Sequence, residues 1–340
     1  MNSMIKDKII ENRLNLFLLH NVNDTDKELI KVKNNPQLIS IICEMEKDFN
    51  IKFNNTKRKW ISIKELTDFI ESISPNSTDY IVKVLDNMKT FRSSMSKLEV
   101  KIPNKITDNL VYIISVIIGD GCLSKYLTKK MYPVYICGTN EGYIKNTIRP
   151  IMKNLFSLDS FTKGKKRENK SILYEWIRYS KPLYIFFSNL FEIPTGKKSH
   201  RVKIPEIVKD FDEHYQLSFL SGLMDTDWGY EYYTFGSGCV SRQLLEDTKS
   251  LLEKLTNIEN LKIKERPLNA KEGSFSLSIP KKDMPEFYKT FRKRLKNTKK
   301  TRILDNLMPL SSNPVKDMWR SKNVTPQSGP SSLSKDMKKR

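Results

Sequence analysis

Apolar residues in this chain fall in blocks whose spacing predicts a repeated order of helices and strands. The run VYIISVIIGDG (Val111 to Gly121) predicts a buried helix, and LSKYLTKKMYPVYICG after it predicts a hairpin. The amphipathic run YIKNTIRPIMKNLF, the basic turn TKGKKRENK, the strand SILYEWIRYS and the helix KPLYIFFSNLF follow. The order then recurs. QLSFLSGLMDTDWGY (Gln216 to Tyr230) opens a second copy, with YEYYTFGSGC, the helix SRQLLEDTKSLLEKLT, the strands LKIKERP and GSFSLSIP, and the helix MPEFYKTFRKRL. Each copy reads αββαββα, and Asp120 and Asp227 open the two hairpins about one small domain apart. The predicted class is α+β, with repeats at 101–212 and 213–308 related by a pseudo-twofold axis.

Residues 1–100 read as a small helical domain. Within them Ile63, Leu66, Phe69 and Ile70, then Tyr80, Ile81, Val84 and Leu85, flank a break at Ser74-Pro75-Asn76. This pair resembles a helix-turn-helix whose second helix enters a DNA groove; a helical subdomain packed on the repeats is the alternative. From Pro309 the chain turns polar and rich in Ser and Pro, so 309–340 is expected to be a disordered tail.

Charge changes the picture. The 340 residues carry a formal net charge of +21, spread among Tyr, Phe and Ile rather than confined to an arm, which points to a folded surface for a polyanion. No apolar run is long enough to span a bilayer. The N-terminus MNSMIKDKIIENR lacks the apolar core and cleavage site of a secretory signal. Four cysteines without CxxC spacing and three histidines make no readable zinc cluster. An intracellular, reduced protein is expected, cytoplasmic in a prokaryote or virus-infected cell and otherwise organellar.

The two opening helices carry the candidate chemistry. Ser115 and Gly119 in the first, and Gly222 and Thr226 in the second, put small residues four apart on one face, where two helix backbones can approach closely. Asp120 and Asp227 end these helices, so packing the helices side by side brings both acids to the foot of the contact. Two carboxylates there repel each other and oppose the helix dipoles. A divalent cation, Mg²⁺ or Mn²⁺, relieves both problems and can activate water against a phosphodiester.

GDG and GLMDTDWG, each closing an apolar helix, resemble the paired signatures of the LAGLIDADG endonucleases, over roughly residues 101–305. The resemblance implies that the motif helices form the interface between repeats and that a curved antiparallel sheet from each repeat straddles DNA. It implies that the second acid of each motif is catalytic, hence Asp120 and Asp227 and not Asp225. It further implies auxiliary basic residues, best matched by Lys203 and more weakly by Lys282. Candidate metal ligands are Asp120 and Asp227, with Gly119 and Thr226 just before them. One departure is Trp228 where Gly is usual, with Gly229 a place later. Either the helix end is reshaped or that half is silent.

Strands alternating basic and apolar residues suit the major groove. The candidate DNA-binding set is Lys125, Lys129, Lys130, Lys165, Lys166, Arg178, Tyr230, Lys262, Lys264 and Arg266. The expected protein is a free-standing, metal-dependent, site-specific double-strand DNA endonuclease, a monomer on a long asymmetric site, of the kind that drives intron homing. The rival is a non-cleaving nucleic-acid binder on the same scaffold, either a transcription regulator or an intron RNA maturase.

Overall fold

A computed structural model describes residues 28–31, 36–48, 60–62, 90–93, 98–126 apart from 104, 131–164, 171–231, 234–266 and 274–308. Before the repeats lie β1 (Glu28–Lys31), α1 (Pro36–Asp48), β2 (Trp60–Ser62), β3 (Thr90–Ser93) and β4 (Val100–Lys101). The strands form an antiparallel sheet in the order β2-β1-β3-β4. The described part of the first hundred residues is therefore not the all-helical domain expected. Strands of two to four residues are too short to print a period-two pattern. The helix-turn-helix segment and the 309–340 tail lie outside the described residues.

The first repeat runs through α2 (Asp108–Gly119), β5 (Gly121–Leu123), β6 (Pro133–Gly138), α3 (Arg149–Phe156), β7 (Thr162–Lys163), β8 (Tyr174–Tyr179) and α4 (Lys181–Ile185). Helical turns at Glu141–Tyr143 and Ile144–Ile148 lead into α3, and Phe186–Leu190 extends α4. A short α5 (Glu206–Lys209) links to the second repeat, made of α6 (Glu213–Asp227), β9 (Trp228–Glu231), β10 (Thr234–Cys239), α7 (Arg242–Leu255), β11 (Ile263–Arg266), β12 (Ser274–Ser278) and α8 (Met284–Phe291). A last helix, α9 (Thr298–Leu307), follows. The two sheets are antiparallel, in the orders β5-β6-β8-β7 and β11-β12-β10-β9. The αββαββα reading of both repeats holds.

Local chemistry explains where the helices start. Thr107 caps α2 by accepting from Leu110 N–H (3.2 Å), and Ser180, Ser241 and Asn297 accept in the same way at α4, α7 and α9. Helix α2 is buried at every position from Leu110 to Ile118, which is why its sequence has no polar face. It lies against α6 on one side and against its own sheet and α3 on the other.

The α2–α6 contact depends on its small residues. A methyl group on Gly222 would stand 2.1 Å from Ser115 Oγ and 2.6 Å from the Tyr112 carbonyl oxygen. One on Gly119 would stand 2.1 Å from Thr226 Oγ1. Ser115 and Gly119 thus face Gly222 and Thr226, as the four-residue spacing predicted.

Candidate active site

The close helix contact carries both acids to one place. Asp120 is the C-cap of α2 and Asp227 the last residue of α6. The Cβ position of Gly119 lies 3.0 Å from Asp227 Oδ2, so the second acid sits directly beside the end of the first helix. Burial, and then the Asp227 charge, raise the Asp120 carboxyl to about 6. Asp227 keeps a side open to solvent, but the protein packed around it withdraws water and raises its carboxyl as well, against the pull of Lys198 and Lys300. Hydrogen bonds tie β6 to this point, since Cys137 N–H donates to the Asp120 carbonyl (3.3 Å).

Two lysines complete the cluster. Lys198 Nζ donates to the carbonyls of Ile117, Ile118 and Gly119 (3.0 Å for the last). It thereby caps the negative end of α2. Its burial depresses the amine to about 8, while both acids favour its charge. Lys300, on α9, donates to the Trp228 carbonyl just beyond α6, and burial lowers it as well. Each lysine thus serves the end of one motif helix, and each lowers the pKa of both acids.

Neither lysine was singled out from the sequence. Lys203 was, and its amine lies 3.7 Å from Glu192 and 3.8 Å from Glu206 in surface ion pairs. Lys282 is exposed in a single 3-10 turn, Lys281–Asp283. The signal that marks Lys198 is the turn before it. Gly196 adopts a left-handed φ of 70°, and its N–H donates to the Leu123 carbonyl (2.8 Å). This pins the loop to the strand that leaves Asp120. Of the other proposed ligands, the Gly119 carbonyl accepts from Lys198, and Thr226 Oγ1 donates back into its own helix at Leu223 (2.9 Å).

Asp225 serves the interface between the repeats. It is 1% exposed and accepts from Tyr112 O–H (2.7 Å) and Lys296 N–H (2.6 Å). With the Tyr112 proton given to Asp225, Tyr143 O–H donates to Tyr112 (2.8 Å). Burial raises the Asp225 carboxyl to about 6, although these donors oppose the shift. Lys296 Nζ stands 4.3 Å from the Tyr112 ring centroid.

Trp228 is the C-cap of α6, and its N–H donates to the Met224 carbonyl. It is 1% exposed, takes an extended backbone and stacks on Phe287 (centroids 6.1 Å apart, planes at 9°). Helix α6 thus ends differently from α2, while Asp227 lies beside the end of α2.

The strand residues divide. Lys125, Lys262, Lys264 and Tyr230 are exposed. The register pairs Arg178 with Val134, so it shares the core-facing side with Trp176, and its buried Nε finds no partner among the described residues. Arg178 therefore does not join the outer surface expected of it. Arg266 ends β11 opposite Ser274. Lys129, Lys130, Lys165 and Lys166 lie outside the described residues. None of the described helices is long and apolar enough to cross a membrane.

No protein-family model and no curated protein matches the sequence. Solved structures similar to it include homing endonucleases of the LAGLIDADG type. I-DmoI in complex with DNA and Mn is 23% identical, with a TM-score of 0.41, over 54% of this chain and 96% of that one. I-WcaI bound to its DNA recognition sequence is 17% identical (TM-score 0.42; 58% and 85% covered). The LAGLIDADG meganuclease I-AabMI bound to uncleaved DNA is 14% identical (TM-score 0.38; 64% and 92% covered).

Proposed function

We propose that the chain is a divalent-metal-dependent, site-specific endonuclease that hydrolyses both strands of duplex DNA as a monomer on a long asymmetric site, and that it acts inside the cell in the manner of intron homing. The observation that carries this reading is the meeting of Asp120 and Asp227, one from each repeat, at the foot of the α2–α6 contact. Two carboxylates raised by burial, with few other donors nearby, suit Mg²⁺ or Mn²⁺, which complete their shells with water and substrate phosphate oxygens. When bound, such an ion supplies an activated water and stabilises the leaving oxygen. Lys198 and Lys300 hold positive charge close to the acids, where a scissile phosphate would need it.

The test uses Asp120→Asn and Asp227→Asn, singly and together, on a randomised duplex library with Mg²⁺. Sequencing of cut ends from the wild type should reveal one long preferred site, and the double variant should leave that site uncut while still shifting it in a gel. Binding without cutting by the wild type would favour the transcription-regulator or maturase reading. Full cutting by the double variant would remove the proposed site.

A further inference from the structure

The two sheets differ on the sides turned away from their helices, and the difference can be read from strand register. In the first sheet Leu123, Val134, Ile136 and Trp176 are fully buried. The alternate positions, which pair across the strands, form the other face. Cys122 pairs with Tyr135, which pairs with Ile177, and Cys137 pairs with Glu175. Tyr179 extends this face, and the Tyr135 hydroxyl hydrogen-bonds with Tyr179 and with Tyr126. Among the described residues of β5 to β8, this face presents no Lys or Arg.

In the second sheet the corresponding face carries Gly236 and Gly238 on β10, Ser276 and Ser278 on β12, and the exposed Lys264 on β11. One sheet thus offers an apolar and aromatic floor with a single acid, Glu175, beside Cys137, and the other a floor of small residues with an exposed lysine.

We infer that the first sheet reads thymine-rich sequence through its methyl groups, with Ile177 and Tyr135 as the contact residues, whereas the second half-site is read through hydrogen bonds from Lys264. The inference rests on the DNA-binding reading above. Duplex DNA is the occupant for two reasons. First, the chain carries +21, and exposed lysines (Lys125 and Lys163 on the first repeat, Lys262 and Lys264 on the second) flank the floors, so a polyanion is drawn to them. Second, the floor runs up to the acids, because Cys137 on this face places its Sγ 3.6 Å from the Asp120 carbonyl oxygen. In the major groove only thymine presents a methyl group, while guanine presents two acceptors suited to a lysine. An apolar floor without cations recognises the former and has nothing to offer the latter.

The experiment selects tight-binding duplexes from a randomised library with the full chain, then replaces thymine by uracil in the selected site. Uracil keeps every hydrogen-bonding group and loses only the methyl. One half of the site should be enriched in thymine, and each critical replacement there should weaken wild-type binding about fourfold, the worth of one buried methyl. Ile177→Ser should bind the thymine site more weakly and be indifferent to uracil. Lys264→Ala should lose preference in the other half and keep the methyl effect. Should Ile177→Ser fail to fold, judged by its melting curve, the uracil series on the wild type still decides. A selected site that tolerates uracil throughout, or equal base preferences in both halves, would overturn this inference and leave DNA binding intact. Failure to select any duplex would remove the DNA reading itself.

Discussion

The carboxylate of Asp120 should destabilise the metal-free protein, and Asp120→Asn should therefore stabilise it. The folded protein holds this carboxyl at about 6, against 3.8 for an unperturbed side chain. Burial is the main cause, and the neighbouring Asp227 charge adds to it. Between those two values the folded state keeps a proton that the unfolded state has released. Stability from this group is thus fully present below about pH 4 and lost as pH rises through about 6. At about 1.36 kcal/mol per unit the loss has a ceiling of about 3 kcal/mol. Asp120 is only partly buried, so solvent screening reduces the loss to about 1–3 kcal/mol.

Asn keeps the shape and cannot ionise. At pH 8 without metal, Asp120→Asn should melt roughly 2–12 °C above wild type, taking about 2–4 °C per kcal/mol for a domain of this size. At pH 5, about midway between the two values, the gap should fall to roughly half, and it should close only below about pH 4. Mg²⁺ should raise the wild-type melting temperature at pH 8 and leave the variant nearly unmoved, because a ligand stabilises only the state that binds it. The assay is a melting curve for each protein at both pH values, with EDTA and with Mg²⁺. A variant that melts below wild type at pH 8, or a gap that does not change with pH, would refute the reasoning and make Asp120 a structural helix cap.

Three further outcomes follow from the packing. Gly222→Ala drives a methyl against the Tyr112 carbonyl at 2.6 Å, which cannot yield as a side chain would; thermal melts should show a loss of about 1–3 kcal/mol. Trp228→Ala empties the stack on Phe235 and Phe287 and should cost about 3–5 kcal/mol in urea titration, so restoring Gly at that position is a core mutation and not a neutral repair. Lys198→Met should abolish cleavage of the selected site while Lys203→Met, which breaks only surface pairs, should cut at close to the wild-type rate.

The motif helices could be read from the chain because their signal is local and doubly constrained. An unbroken apolar run marks a helix buried all round, and four-spaced small residues mark the side on which another backbone comes within van der Waals reach. Both facts belong to one stretch of sequence. Lys198 and Lys300 belong to loops and helices that only the fold carries back to the acids, and nothing in GKKSHRVK ranks Lys198 above Lys203 except the left-handed turn at Gly196. Arg178 is a different kind of miss. In YEWIRY the large aromatic Trp176 fixes which side faces the core, and period-two alternation then puts Arg178 on that same side; counting basic residues overlooked a parity already present in the strand. The two motif ends make the same point about backbone. In the first repeat Gly121 closes the helix, where a methyl would meet the Ile117 backbone at 2.5 Å. In the second, α6 continues through Asp227 and the chain leaves in an extended conformation at Trp228, whose ring anchors the new strand in the core. One glycine turn and one buried indole bring their acids to the same spot, so the two helix ends share the position of the carboxylate, while the residue after it follows the core that its own strand enters.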